Sequence, residues 1–337
     1  MRAQKDNFMT VLKGGCPDYV PTYYMMTSGE TKPNIVLLMP PFIAEHRVPG
    51  KGGKDVWGVE YVPTESTNGA SLPKPGEFIL KDIRQWRDVI KAPDLSHIDW
   101  EKVAKKHLED AKVDREYTAV SLDLHIGYFQ HLMAFMGFEN GMCALYEEPE
   151  ECKELIQYLS DFYINIMANM IDYYEPDIIS IKDDTATEHA PFLSVDMLKA
   201  FFVPHYDRQA KFGRDRGLPI TFHNCGKCES YMDTLVDIGV TMWEPAQTSN
   251  NLAGIKKKFG NRLVIGGGWE PRGRLLAPDV TDEEIEESVK NTIYTLAPGG
   301  GYCFCGGYFG LPGDTESVRK SKVVNDTYMK YREAVYK

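Results

Sequence analysis

Residues 218–228 read Leu-Pro-Ile-Thr-Phe-His-Asn-Cys-Gly-Lys-Cys, a short apolar run that ends in His223, Cys225 and Gly226. In a strand alternate side chains share a face, so His223 and Cys225 point the same way. An imidazole beside a thiolate at a strand's end supplies two ligands of a catalytic zinc site, which takes its third from elsewhere. The candidates are Cys303 and Cys305 in Gly-Gly-Gly-Tyr-Cys-Phe-Cys-Gly-Gly (299–307), a second strand-like stretch that ends in glycines and carries both thiols on one face. A His-x-Cys pair in an apolar stretch also fits a core histidine beside an inert buried thiol. Two such strands, each with cysteine just before glycine, favour the metal. Cys228 makes a Cys-x-x-Cys with Cys225, but no second pair closes a four-thiolate site, so Cys228 reads as the start of the next helix.

Outward from this stretch, strands and helices alternate. Thr118-Ala-Val-Ser-Leu-Asp (118–123) is a strand ending at Asp123 and His125, and Asp177-Ile-Ile-Ser-Ile-Lys-Asp-Asp (177–184) is a buried parallel strand ending at Asp183 and Asp184. Thr241-Met-Trp-Glu (241–244) and Leu263-Val-Ile-Gly-Gly-Gly (263–268) follow the His-x-Cys strand. Apolar periodicity predicts helices over 82–89, 100–112, 128–136, 142–146, 150–159 and 161–174, then one capped by Ser194, and others over 204–216, 229–238, 251–259, 282–296 and from about Asp314. Four of these strands place polar or metal-competent residues at the same end: Asp183 and Asp184, His223 and Cys225, Glu244, and Cys305. An α/β fold of the (β/α)8 barrel type gathers those ends around one mouth. A doubly wound sheet needs a glycine-rich phosphate fingerprint after its first strand, and neither Gly266-Gly-Gly-Trp nor Pro298-Gly-Gly-Gly has that form.

The N-terminal part is less regular. A helix over 5–13 stops at Gly14-Gly15, and a turn feeds the strand-like Thr22-Tyr-Tyr-Met-Met (22–26). Residues 27–78 show little periodicity and many glycines and prolines, which predicts an irregular insert or lid within a single barrel domain over 1–337. With 337 residues and a net charge of -11, the chain can bury a large core and is a poor partner for nucleic acid or an anionic membrane. No stretch has the apolar length of a membrane span and the start lacks a signal peptide's apolar segment, so a cytoplasmic protein is expected. Seven cysteines in a reducing compartment argue for free thiols or metal ligands rather than a disulfide frame.

Several of these stretches together resemble the uroporphyrinogen decarboxylase superfamily. They are Arg2 to Pro21, Asp183-Asp184, Phe192-Leu-Ser (192–194), Phe202-Val-Pro (202–204), Gly217 to Gly226, Gly260 to Val264 and Pro312-Gly-Asp-Thr (312–315). The resemblance covers nearly the whole chain and implies a (β/α)8 barrel with its site at the mouth. True decarboxylases of the superfamily carry an arginine-rich segment after the first strand to hold a substrate with many carboxylates. Here that stretch is Met25-Met-Thr-Ser-Gly-Glu-Thr (25–31), without an arginine. The methyltransferase branch instead carries zinc on a His-x-Cys strand plus a distant cysteine. Trp243-Glu-Pro-Ala-Gln (243–247), Asn250-Asn-Leu (250–252) and Val264-Ile-Gly-Gly-Gly-Trp (264–269) look most like the methyltransferase I components of corrinoid-dependent aryl-ether O-demethylases.

What the resemblance implies is a zinc enzyme moving the methyl of a methoxylated aromatic to cobalt(I) of a separate corrinoid protein, and often a homodimer. Zinc on His223, Cys225 and a third ligand would act as Lewis acid on the ether oxygen, with Asp183, Asp184 or His125 protonating the departing phenolate. In related corrinoid to coenzyme M enzymes the distant cysteine falls near the position of Tyr308, so the third ligand here is Cys305, then Cys303, or an acid such as Glu244 or Glu188. Tyr23, Trp57, Trp243 and Trp269 suit a flat ring, and with Met25, Glu188 and Glu244 they are the candidate substrate contacts. Asp123-Leu-His-Ile-Gly is one residue short of the corrinoid motif Asp-x-His-x-x-Gly, so the cofactor belongs to a partner. The competing readings are a cofactor-free decarboxylase of a tetrapyrrole acid, a non-catalytic ligand-binding barrel, and methyl transfer to a thiol such as coenzyme M.

Overall fold

The computed structural model describes residues 3–23, 33–47, 50–64, 70–124, 126–308, 310 and 313–336. Seven of its strands, built from branched and small side chains, form one sheet in the order β1-β5-β6-β7-β8-β9-β10 with every neighbouring pair parallel. They are β1 (Ile35–Leu38), β5 (Ala119–Asp123), β6 (Ile178–Lys182), β7 (Ile220–His223), β8 (Met242–Ala246), β9 (Val264–Gly268) and β10 (Tyr302–Cys305). The two edges meet at Thr22. Tyr23 N donates to Phe304 O at 3.0 Å and Phe304 N to Pro21 O at 2.9 Å, while Asn34 Nδ2, just before β1, donates to Thr22 O at 2.8 Å. The sheet is thus a (β/α)8 barrel in which the segment at Thr22 supplies the remaining stave.

Strand alternation divides the core cleanly. Val120, Leu122, Ile179, Ile181, Phe222, Trp243, Ile265 and Phe304 face outward into the layer shared with the helices. Ile35, Ala119, Ile178, Met242, Val264 and Cys303 face inward, where Phe8, Val11 and Leu12 of the helix Gln4–Leu12 plug the floor of the barrel. Burying a side chain such as Phe8 contributes roughly 2–3 kcal/mol. The helices follow their local signals. Thr281 and Glu284 form a reciprocal capping box on Asp282–Leu296, and the predicted segments 150–159 and 161–174 fuse into one helix, Pro149–Tyr174, that starts on proline.

The 27–78 stretch departs from its reading as an irregular insert. It contains β1, a stave of the barrel, and a three-stranded antiparallel sheet of β2 (Gly53–Lys54), β3 (Glu60–Pro63) and β4 (Ser71–Pro73). Strands this short, interrupted by Gly52, Gly53, Pro63 and Pro73, leave no measurable periodicity in the sequence. Tyr24 to Met26, and 27–32, 48, 49 and 65–69 of this stretch, lie outside the described residues. All seven cysteines are free, and among the described residues no helix is long and apolar enough to cross a membrane.

One helix-layer residue sets a pH response. His205 is 6% exposed, and burial followed by the charge of Arg208 pushes its pKa down to about 4. The unfolded chain takes up this proton near pH 6.5, the folded one only near pH 4, so stability falls as the pH drops through that window, by up to about 3 kcal/mol. Urea unfolding of wild type and His205→Phe at about pH 7 and about pH 4.5 checks this, with the smaller acid loss expected in the variant.

Candidate metal centre at the barrel mouth

Parity within β6 separates the two acids that follow it. Asp184 continues the inner series Ser180, Lys182, whereas Asp183 continues the outer series Ile179, Ile181 and is fully buried. Asp183 accepts from Phe129 N at 2.8 Å, Gln130 N at 3.2 Å and Tyr206 Oη at 2.7 Å, so it caps the first turn of the helix Tyr128–Met136 from a distant strand. Burial pushes its carboxyl up to about 7, against the pull of those three donors. Both oxygens accept hydrogen bonds, so Asp183 anchors the start of that helix from a fully buried place.

Asp184 faces the mouth. Its Oδ2 accepts from Gln130 Nε2 at 3.0 Å and its Oδ1 from Cys225 N at 2.9 Å, which draws the β6 and β7 ends together. His223 Nε2 lies 3.5 Å from Cys225 Sγ and 3.6 Å from Asp184 Oδ1, and the ligand atoms of the three residues all lie within 4.8 Å of one another. Ligands about 2.0–2.3 Å from a tetrahedral zinc are separated by about 3.5 Å, so the oxygen, nitrogen and sulfur set fits that ion with one position open.

The imidazole is held from behind. Glu244, 0% exposed on β8 and in register with His223, brings its two oxygens to 3.1 and 3.0 Å from Nδ1, and Tyr23 Oη donates to Glu244 Oε1 at 2.9 Å. With Nδ1 against the Glu244 carboxylate, Nε2 is the nitrogen that faces Cys225 and Asp184 and would exchange its proton for a metal. Burial lowers the pKa of His223, but the charge of Glu244 and the hydrogen bonds with Cys225 and Glu244 outweigh it and raise it well above the ordinary value. Burial raises Cys225, helped by Asp184 and opposed by His223. The turn after Cys225 is fixed by Gly226 at φ +92°, where a Cβ would meet Thr187 O at 2.5 Å, and by Gly226 N donating to Gln247 Oε1 at 2.5 Å. Glu244→Gln is expected to weaken zinc binding by about 10–100-fold, read by competition with a chromogenic chelator.

The other candidate residues are placed differently. Among the described residues neither Cys303 nor Cys305 joins the cluster. Cys303 is fully buried on the apolar floor with Phe8 and Met242, and Cys305, one inward step higher and partly buried, has its thiol pKa raised to about 12 by burial and then by Glu244. Glu188 is exposed on the rim and paired with Arg272. Trp57 packs against Phe162 and donates to Tyr163 Oη at 2.9 Å, Trp243 faces outward and donates to Asn224 O at 3.1 Å, and Trp269 turns to Ser288 Oγ at 3.0 Å. These three indoles are taken up by packing between strands and helices, because each sits on the outer parity or turns toward a helix. Met25 and His125 lie outside the described residues. Sequence reasoning placed Asp184 among the proton donors and did not bring it to His223 and Cys225, nor Gln130 to Asp184; the inner parity of Asp184 with Lys182 was the signal available.

A family profile described as Uroporphyrinogen decarboxylase (URO-D) matches residues 127–325. A methyltransferase from Methanosarcina mazei has a similar fold, with a TM-score of 0.59 and 15% identity over 98% of this chain and 100% of that one. A sugar phosphate isomerase/epimerase from Parabacteroides distasonis aligns with a TM-score of 0.30 and 13% identity, over 73% of this chain and 80% of that one. A search of curated proteins gave no match.

Proposed function

Because the chain belongs to the uroporphyrinogen decarboxylase family, we propose that it works in that barrel as a zinc methyltransferase, taking the methyl of a methoxylated aromatic for the cobalt of a separate corrinoid protein. The observation that carries this reading is the convergence of Asp184, His223 and Cys225 at the mouth, with Glu244 behind the imidazole. A decarboxylase of this family would need basic anchors, and 25–31 holds no arginine. The solved neighbour described as a methyltransferase supports the same direction.

Asp184, His223 and Cys225 would hold the metal, which when bound supplies a Lewis acid for the ether oxygen. The chain's own contribution is placement. Glu244 and Tyr23 fix the imidazole, Gln130 and the Cys225 amide fix Asp184, and the Gly226 turn fixes Cys225. In the reaction the oxygen–methyl bond breaks with its electron pair left on oxygen, which gains a proton as the methyl passes to cobalt. Incubating the zinc-loaded protein with a methoxylated phenol and reduced corrinoid protein, with coenzyme M as a parallel acceptor, tests the proposal. Release of the phenol with methylation of the corrinoid is the expected result; finding neither, or methylation of the thiol alone, contradicts it.

A further inference from the structure

Beneath the metal cluster the inner face of β5, β6 and β7 carries a band of polar groups that packing alone does not explain. Asp123 and Lys182 form an ion pair at 2.9 Å with side chains 1% and 6% exposed. On the same inward parity, the hydroxyls of Ser121, Ser180 and Thr221 are buried without a hydrogen-bond partner among the described residues. Barrel interiors are ordinarily filled by branched hydrocarbon, as the floor is here by Ile35, Ile178, Met242 and Val264. Three unsatisfied hydroxyls beside a buried charge pair carry a standing desolvation cost that a ligand with matching groups would remove.

We propose that this band is a binding site for an uncharged, hydroxyl-bearing head group of the substrate, with Lys182 and Asp123 as its specificity-determining residues. The register supports the location. Lys182 pairs with His223 and Asp123 with Ser180, so the band begins one strand away from the imidazole. A molecule whose methyl lies at the cluster would extend its other end downward between these strands.

The charge balance selects the class of head group. Asp123 and Lys182 together are neutral, so a carboxylate that approaches the ammonium also meets the Asp123 charge, and a cation meets Lys182. A hydroxyl can accept from one partner and donate to another at once, and the three unpartnered hydroxyls can adopt whichever role is left. This deepens the methyl-transfer reading and rests on it for the reacting end of the molecule only.

The test is calorimetric binding of aryl methyl ethers that differ in one ring substituent, hydroxymethyl, carboxylate or methyl, each as its three ring isomers, to the zinc-loaded protein without corrinoid. The best hydroxymethyl isomer is expected to bind at least about tenfold tighter than its methyl and carboxylate counterparts. In Lys182→Met with Asp123→Leu, which removes both charges together, that preference falls to within about twofold while zinc content is unchanged. Thr221→Val, which keeps the side chain's shape, reduces it by about threefold or more and serves if the double variant does not fold. Equal binding of the three substituents, preference for the carboxylate, or a preference that survives these variants overturns the proposal. Methyl transfer is not among the readouts, so the ranking can stand where the transfer reading fails.

Discussion

His223→Ala and Cys225→Ser are each expected to lose stoichiometric zinc and to lower methyl transfer by at least about a thousandfold, the equivalent of roughly 4 kcal/mol of transition-state stabilisation. Each variant removes one of three converging ligand atoms, and two ligands do not hold a structural or catalytic zinc. His223 carries an added consequence, since without the imidazole the buried Glu244 carboxylate keeps only Tyr23 as its side-chain partner among the bonds described above. The thiol variant is the cleaner test, because serine fills nearly the same space. Metal analysis after dialysis, beside phenol release, measures both effects. Cys303→Ser is expected to leave zinc content unchanged, because that thiol lies on the apolar floor.

The two neighbouring acids should give opposite phenotypes. Asp183→Ala leaves Phe129 N, Gln130 N and the Tyr206 hydroxyl without their acceptor in a fully buried place, a loss of roughly 2–4 kcal/mol in unfolding free energy. Asp184→Ala opens a partly exposed position, costs about 1 kcal/mol or less in stability, and abolishes zinc retention. Urea unfolding and metal content on both variants separate the roles. A stable Asp183→Ala protein, or a zinc-replete Asp184→Ala protein, would contradict the assignment.

The barrel was legible because its strands from 118 onward are short runs rich in apolar residues that end alike, and because the helices between them carry ordinary capping and stop signals. The His223 and Cys225 pair followed from period-two alternation alone. The same alternation, carried one strand further, separates Asp183 from Asp184 and Trp243 from Glu244: in each pair one residue faces the helices and the other the barrel axis. Alternation turns Asp184 inward but does not bring it to Cys225: that contact comes from the packing of the two loops after β6 and β7. Strands β1 to β4 were not legible, because their few residues between glycines and prolines leave too short a window for any period to register. Trp57 and Trp269 show the limit of residue type as a guide. An indole suits a flat ligand and a helix interface equally well, and only the packing partner decides.

The sulfur count around bound zinc tests the central claim most directly. X-ray absorption at the zinc edge of the loaded wild-type protein should report one sulfur at about 2.3 Å, from Cys225, with nitrogen and oxygen at about 2.0–2.2 Å from His223 and Asp184, and the sulfur should vanish in Cys225→Ser. A shell with two sulfurs would replace Asp184 by a second thiol. Failure to retain zinc, or a shell of oxygen and nitrogen alone in the wild type, would contradict the metal centre itself.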